Sequence, residues 1–314
     1  MSFEIDIKNL DYKTKKQIAD DLKVNFKENK FGTKESFYLY ELISTKLYVP
    51  FAYGYEFLNK NKDENEVLEL EDELDFNPPY FEGKLNIFQE DIKEQALEIL
   101  NRTGSIIISL GTGFGKTIFS IYFCSILRER REKVLVTMNR VNLLYQWEDS
   151  IKKVYKNVKT QILTTKSKLN PDADFYLINV SNISKFNMEF FSNISILIAD
   201  ECHSVCTENL AKNLLMFKPK YLIGLSATPY RNDNGDIILQ HIFGNNIISK
   251  YIYRLFNVYT VFTGFKPKME KNRNDNLDWN AVLESQAKDV ARNELIVKIL
   301  MLFKHRNFLV LCKR

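Results

Sequence analysis

Ile106-Ile107-Ile108-Ser109-Leu110-Gly111-Thr112-Gly113-Phe114-Gly115-Lys116-Thr117 is the stretch whose reading decides the fold. A short apolar run with branched residues, bounded by glycine, reads as a buried strand. A helical pattern follows from Lys116 to about Arg131. A glycine-rich turn between a buried strand and a helix is the setting a phosphate-binding loop requires. Glycines let backbone N–H groups approach phosphate oxygens without side-chain clash, and the helix N-terminus adds its positive dipole end. On this reading Thr112, Gly113, Phe114, Gly115, Lys116 and Thr117 cradle the phosphates of a nucleotide. Lys116 neutralises charge on the β- and γ-phosphates, and the Thr117 hydroxyl binds Mg²⁺. The strict pattern G-x-x-x-x-G-K-[ST] asks for glycine at position 110, where Leu110 stands. The loop therefore needs partners elsewhere in the chain.

Two further strings supply them. Ile194-Ser195-Ile196-Leu197-Ile198-Ala199 leads into Asp200-Glu201-Cys202-His203. An apolar strand ending in two acids places both carboxylates at the carboxyl edge of a parallel sheet, where ligands bind. Asp200 would hold Mg²⁺, and Glu201 would orient and deprotonate an attacking water. Gly224-Leu225-Ser226-Ala227-Thr228-Pro229 lies at a later strand end. Its hydroxyl residues Ser226 and Thr228 could hydrogen-bond His203 or the acids and relay the phosphate state.

Outward from these motifs, Lys133–Val136, Phe175–Ile178 and Tyr221–Leu225 read as strands, and a helix passes through Leu143, Leu144 and Trp147. Strands alternating with helices predict an α/β fold, a parallel sheet with helices on both faces. Before it stands a small α+β N-terminal region, with an amphipathic pattern at Ile18, Leu22 and Phe26 and aromatics at Phe37–Tyr40. An acidic run from Asp63 to Asp75, ending at Pro78-Pro79, reads as a linker or solvated flap. After about residue 250, Phe256–Phe262 reads as a strand, Asn272–Asp278 as a loop, Asp289–Lys304 as a helix and Phe308–Cys312 as a buried strand. The resulting division is 1–80, accessory region with acidic linker; 81–255, nucleotide-binding domain; 256–300, connecting segment; and 301–314, the start of a further domain.

The 314 residues are 45% hydrophobic and 27% charged, enough apolar content for a sizeable core. There is no basic, apolar opening of the signal-peptide kind, and no apolar run nears the ~18 residues of a membrane span. A soluble intracellular protein is the simplest reading. A net charge of +4 permits a basic groove without arguing for one. Cys124, Cys202, Cys206 and Cys312 lack paired spacing and read as reduced thiols. Cys202 and Cys206 flank His203, but no second ligand pair follows to complete a zinc site.

Together the three motifs resemble superfamily 2 helicases of the DExH type, over roughly residues 84 to 314. The string from Gly224 to Arg231, with Asp233 and Gly235, looks like the branch that contains a phage recombination helicase and the TFIIH translocase. Lys218–Ile223, Thr263–Pro267, Asp278-Trp279-Asn280 and Arg292-Asn293 look most like the poxvirus transcript-release helicases and their relatives in other large DNA viruses. The resemblance implies a RecA-like P-loop NTPase fold, ATP and Mg²⁺ as cofactors, and a viral setting in host cytoplasm or virion. It implies that Gln89, in Phe88-Gln89, bonds the adenine base, although Asn86 stands where the family usually has arginine. It places Leu143–Trp147 and Asn179–Asn182 on the nucleic-acid side, with Arg140 and Asn182 as candidate contacts. Val310–Arg314 resembles the first strand of a second RecA-like domain. The expectation is that this domain continues past Arg314 and carries the family's arginine fingers.

The function implied is an ATP-dependent helicase or translocase, DNA favoured over RNA, gripping nucleic acid through its backbone. An RNA-acting motor, a nucleic-acid-binding subunit with a silent ATPase, and the motor subunit of a restriction complex are the competing readings.

Overall fold

The computed structural model describes residues 2–25, 36–60, 81–128, 132–205, 207–215, 217–230, 235–251, 255–272 and 275–311. The acidic run, Phe26, Cys206, Arg231, Asp233 and Cys312–Arg314 lie outside the described residues. The chain divides into two units, Met1–Ile252 and Tyr253–Arg314.

The first unit opens with β1 (Ser2–Asp6), α1 (Tyr12–Asp21), β2 (Lys23–Asn25), β3 (Ser36–Tyr38), β4 (Glu41–Ile43), β5 (Lys46–Pro50) and α2 (Phe51–Lys60). Strands β1, β5 and β4 form a small antiparallel sheet, and β2 pairs with β3. This is the mixed α and β region expected before the main sheet.

Then come α3 (Ile87–Thr103), β6 (Ser105–Leu110), α4 (Lys116–Leu127), β7 (Lys133–Met138), α5 (Val141–Val154), β8 (Thr160–Leu163), β9 (Phe175–Asn179), β10 (Ile194–Asp200), α6 (Cys202–Val205), α7 (Glu208–Leu214), β11 (Tyr221–Leu225), α8 (Asp236–Phe243) and β12 (Ile247–Lys250). The seven strands form one parallel sheet in the order β12-β6-β11-β10-β7-β9-β8. This is the RecA-like arrangement, a parallel sheet flanked by helices.

Strand periodicity explains the layers. Successive side chains of a strand point to opposite faces. Ile106, Ile108 and Leu110 of β6, with Ile196 and Ile198 of β10, enter one core with α3, α4 and α5. Ile107, Leu197 and Ala199 enter the other, with α8 and with Phe37, Leu39 and Phe51 of the N-terminal region. Both faces are covered, so these strands are apolar throughout rather than alternating. Gly224 in β11 is required by close approach: a Cβ there would lie 2.9 Å from the Phe243 ring and 3.2 Å from Cys202 Sγ.

The second unit holds α9 (Trp279–Lys288) and α10 (Val290–Leu302). Here the sequence reading needs two corrections. Residues 256–262 and 308–311 form no strand, and Phe256, Phe262, Leu309 and Leu311 are exposed. Apolar, branched composition makes a strand only where a neighbour completes its hydrogen bonds, and among the described residues of this unit the only pairing is the isolated bridge Lys271–Leu277.

Candidate nucleotide-binding and hydrolysis site

The register of the sheet assembles the site. Asp200 at the end of β10 is level with Leu225 of β11, which is level with Ile108 of β6. The glycine-rich loop after β6, the acids after β10 and Ser226 after β11 therefore emerge from three adjacent strands at one carboxyl edge. Ligands of open parallel sheets bind at that edge.

The loop has the backbone that its glycines permit. Gly113 and Gly115 sit at φ 84° and 77°, the left-handed region that side-chain-bearing residues avoid. Space beside Gly113 is open: a Cβ there would meet nothing within 4 Å. Thr112 and Gly113 are exposed, and Gly115, Lys116 and Thr117 are half-buried. The Lys116 ammonium donates to the Leu110 carbonyl at 3.0 Å, across the base of the loop. Leu110 itself is fully buried as the last residue of β6, so its departure from the strict pattern leaves the cradle of Gly111–Gly115 intact.

Gln89 holds this loop from behind. It is 2% exposed, and it donates both amide hydrogens to the Phe114 and Gly115 carbonyls, each at 3.0 Å. Its Oε1 accepts from the Asn86 backbone at 2.7 Å, and the Asn86 side chain accepts from the Phe88 and Gln89 amides, completing a capping box at the start of α3. Asn86 Nδ2 also donates to the Phe114 carbonyl, at 3.1 Å. Bonding an adenine through the Gln89 amide would require exchange of these bonds. The Phe114 ring is buried against Phe88, so any contact of Phe114 with phosphate falls to its backbone. The Asn-x-x-Gln spacing was the sequence signal for this cap.

At the acids, Asp200 and Glu201 are both half-buried. The Asp200 carboxylate accepts from the Trp147 indole at 2.8 Å and from the Glu201 amide at 3.0 Å. Glu201 has φ 50°, an uncommon backbone for a residue with a Cβ. Its carbonyl accepts from the Ser204 hydroxyl at 2.7 Å, and Ser204 accepts from the Asn139 amide at 2.9 Å. His203 Nδ1 lies 2.8 Å from Ser226 Oγ and 3.4 Å from Glu201 Oε2. Ser226 is fully buried, and its hydroxyl accepts from the Thr228 amide at 3.0 Å. The structure thus brings His203, Glu201, Ser226 and the Thr228 backbone together. Sequence reasoning did not find Trp147 or Asn139 at this site, because no local spacing links them to it.

Arg140 is exposed directly before α5, and Asn182 sits half-buried in a 3₁₀ turn, accepting from Lys185 at 3.2 Å. Among the described residues no three His, Cys, Asp or Glu side chains cluster as metal ligands, and Cys124 and Cys202 are buried. No helix of the described residues is long and apolar enough to cross a membrane.

A parallel sheet with a glycine-lysine loop and an Asp-Glu pair on the ends of the two strands that flank β11 defines a P-loop NTPase of RecA-like fold. The profile of the family described as the res subunit of type III restriction enzymes matches residues 82–231. The 161L protein of Invertebrate iridescent virus 6, whose name places it among helicases, is 33% identical over 320 residues, which span 100% of this chain and 70% of that protein. The similarly named 109L protein of Invertebrate iridescent virus 3 is 32% identical over 267 residues, 81% of this chain and 80% of its own length. The UvsW helicase of bacteriophage T4 shares the fold, with a TM-score of 0.54 at 15% identity over 77% of this chain and 95% of that one. The chain belongs to the superfamily 2 helicases of the DExH type, together with several viral helicases. The likeness to poxviruses is one among these: transcript termination protein A18 of Yaba-like disease virus is 26% identical over 212 residues, 61% of this chain and 42% of its own. No single viral relative is favoured.

Proposed function

We propose that this chain is the ATP-binding half of an ATP-dependent DNA helicase or translocase. The observation that carries the reading is the convergence of Lys116, Asp200-Glu201 and Ser226 on three adjacent strand ends of one sheet edge. The loop amides and Lys116 hold the triphosphate. Thr117 and Asp200 hold Mg²⁺, and their chemistry suits it: Mg²⁺ is bound through one or two carboxylates, a hydroxyl and substrate phosphates rather than a protein cage. When bound, the ion neutralises phosphate charge. Glu201 orients the attacking water and accepts its proton. His203 and Ser226 connect that carboxylate to the end of the neighbouring strand.

Arg140 and Asn182 contact nucleic acid in this reading, which proceeds through phosphates and so has low sequence preference. A second RecA-like domain supplies the arginines of the family. Such arginines contribute about 10³ to 10⁵ in rate, so this chain alone binds ATP and hydrolyses it slowly. The test pairs a fluorescent-nucleotide titration of the chain and its Lys116→Ala variant with ATPase assays of the longest natural form on duplex DNA, single-stranded DNA and RNA. Affinity lost with Lys116, and turnover stimulated by DNA in a salt-sensitive manner, support the reading. Equal affinity in the variant contradicts the loop assignment, and stimulation by RNA alone turns the reading to an RNA motor.

A further inference from the structure

The metal aspartate of the proposed site is held by a residue that the motifs do not include. Trp147 lies on α5, is 2% exposed and belongs to the main core. A hydrocarbon or phenyl side chain would serve burial alone; a buried indole N–H needs an acceptor. The acceptor here is Asp200 Oδ2, at 2.8 Å. The other oxygen, Oδ1, accepts from the Glu201 amide at 3.0 Å. The carboxylate is gripped at both oxygens, which fixes its plane, while an ionised carboxylate with about four acceptor sites keeps others free for a ligand. The same strand-to-helix unit reaches the acids a second time. Asn139, just before α5, donates to Ser204, whose hydroxyl in turn donates to the Glu201 carbonyl. Glu201, at its positive φ, is thereby braced from that direction too.

We propose that Trp147 is a positioning residue for the metal-binding carboxylate, its indole N–H fixing the orientation in which Asp200 meets Mg²⁺. The proposal rests on the reading of Asp200 as the Mg²⁺ ligand. Outer partners that orient a ligand change metal affinity by about 10- to 100-fold when removed. Trp147 therefore governs Mg²⁺ affinity in the nucleotide complex and leaves metal-free nucleotide affinity alone.

Two measurements test this on the full chain. In the first, ADP binding is titrated in EDTA and across a Mg²⁺ series for the unsubstituted protein and Trp147→Phe, which keeps an aromatic ring and removes the N–H. The expected result is ADP affinity in EDTA within about twofold, and a half-saturating Mg²⁺ concentration raised about tenfold. An unchanged Mg²⁺ dependence in a variant that binds ADP normally overturns the proposal, as does a loss of ADP affinity that is the same with and without Mg²⁺. In the second, the chain carries Trp279→Phe, which removes its other tryptophan, an exposed one, so that the Trp147 indole ¹⁵N–¹H resonance is observed alone. That resonance should shift when Mg²⁺ is added to the ADP complex. A resonance unmoved by Mg²⁺ overturns the proposal even if Trp147→Phe does not fold. Absence of ADP binding by the unsubstituted chain overturns the site reading itself, a result distinct from either.

Discussion

His203 and Ser226 are joined by a 2.8 Å hydrogen bond between Nδ1 and Oγ, and this contact ties the end of β10 to the end of β11. Ser226 is fully buried and also receives the Thr228 amide, so the hydroxyl organises both the histidine and the start of the following loop. Ser226→Ala removes both contacts. Loss of such a bond costs about 1 kcal/mol, and coupling networks carry about 0.5–2 kcal/mol. In the longest natural form, the ratio of DNA-stimulated to basal ATP turnover should fall roughly five- to tenfold, with nucleotide affinity retained. Steady-state assays with and without DNA check this; an unchanged ratio would remove His203–Ser226 from the coupling path.

In the proposed function Glu201 acts on water rather than binding nucleotide. Its carboxylate reaches His203 Nδ1 at 3.4 Å, and its backbone bonds the Asp200 carboxylate and the Ser204 hydroxyl. Glu201→Gln preserves shape and removes the base. Turnover should drop by about 10²- to 10⁴-fold, the usual worth of general acid–base catalysis. Nucleotide affinity by fluorescence titration should stay within a few fold. Turnover that survives the substitution would assign the base elsewhere.

In the proposed site Gln89 would act through the loop, and so on every nucleotide alike. Both of its amide hydrogens are committed to loop carbonyls, and a Cβ on Gly115 would stand 2.8 Å from its Nε2. Gln89→Ala removes both of these hydrogen bonds, leaving the Phe114 carbonyl to Asn86 and the Gly115 carbonyl to the Phe119 amide, and loosens the loop at a cost of about 1–3 kcal/mol. ATP and GTP affinities should fall together by about tenfold or more. A selective loss for ATP, read in parallel titrations, would show instead that the amide leaves the loop to read the base.

How much of this was legible in the sequence follows from where each residue's partners lie. Ile106–Leu110, Ile194–Ala199 and Tyr221–Leu225 are buried on both faces, so composition alone revealed them and the motifs that end them. The edge strands Thr160–Leu163 and Ile247–Lys250 are short and partly exposed, and their mixed polarity concealed them. Phe256–Phe262 was misread because apolar composition does not report whether a pairing strand exists. The positions of Asp200 and Lys116 were legible because one ends β10 and the other begins α4, and Glu201 follows directly on Asp200. The Trp147–Asp200 bond was not, since it joins two elements whose separation carries no periodic signal.

The joint between the N-terminal region and the sheet gives a last, acid-sensitive outcome. His241 of α8 stacks edge-on to Tyr53 of α2, with ring centroids 5.6 Å apart, in a cavity also lined by Asp21, Glu56, Gln240 and Asn245. The Tyr53 hydroxyl donates to Asp21 at 3.0 Å. Among the described residues the buried Nε2 of His241 has no hydrogen-bond partner. Burial holds the imidazole below its ordinary value of 6.5, against the opposing pull of Asp21. The unfolded chain then binds more protons than the folded one as pH drops through that value. Stability is fully present above about 6.5, and it falls with pH until the folded histidine also protonates. His241→Phe keeps an aromatic ring against Tyr53 and removes the titration. Urea unfolding at pH 7.5 and 5.5 should show a larger acid-side loss for the unsubstituted chain than for His241→Phe, the difference isolating this histidine from His203 and His305. Equal losses in the two proteins would mean that protonation of His241 does not oppose the docking of α2 on α8.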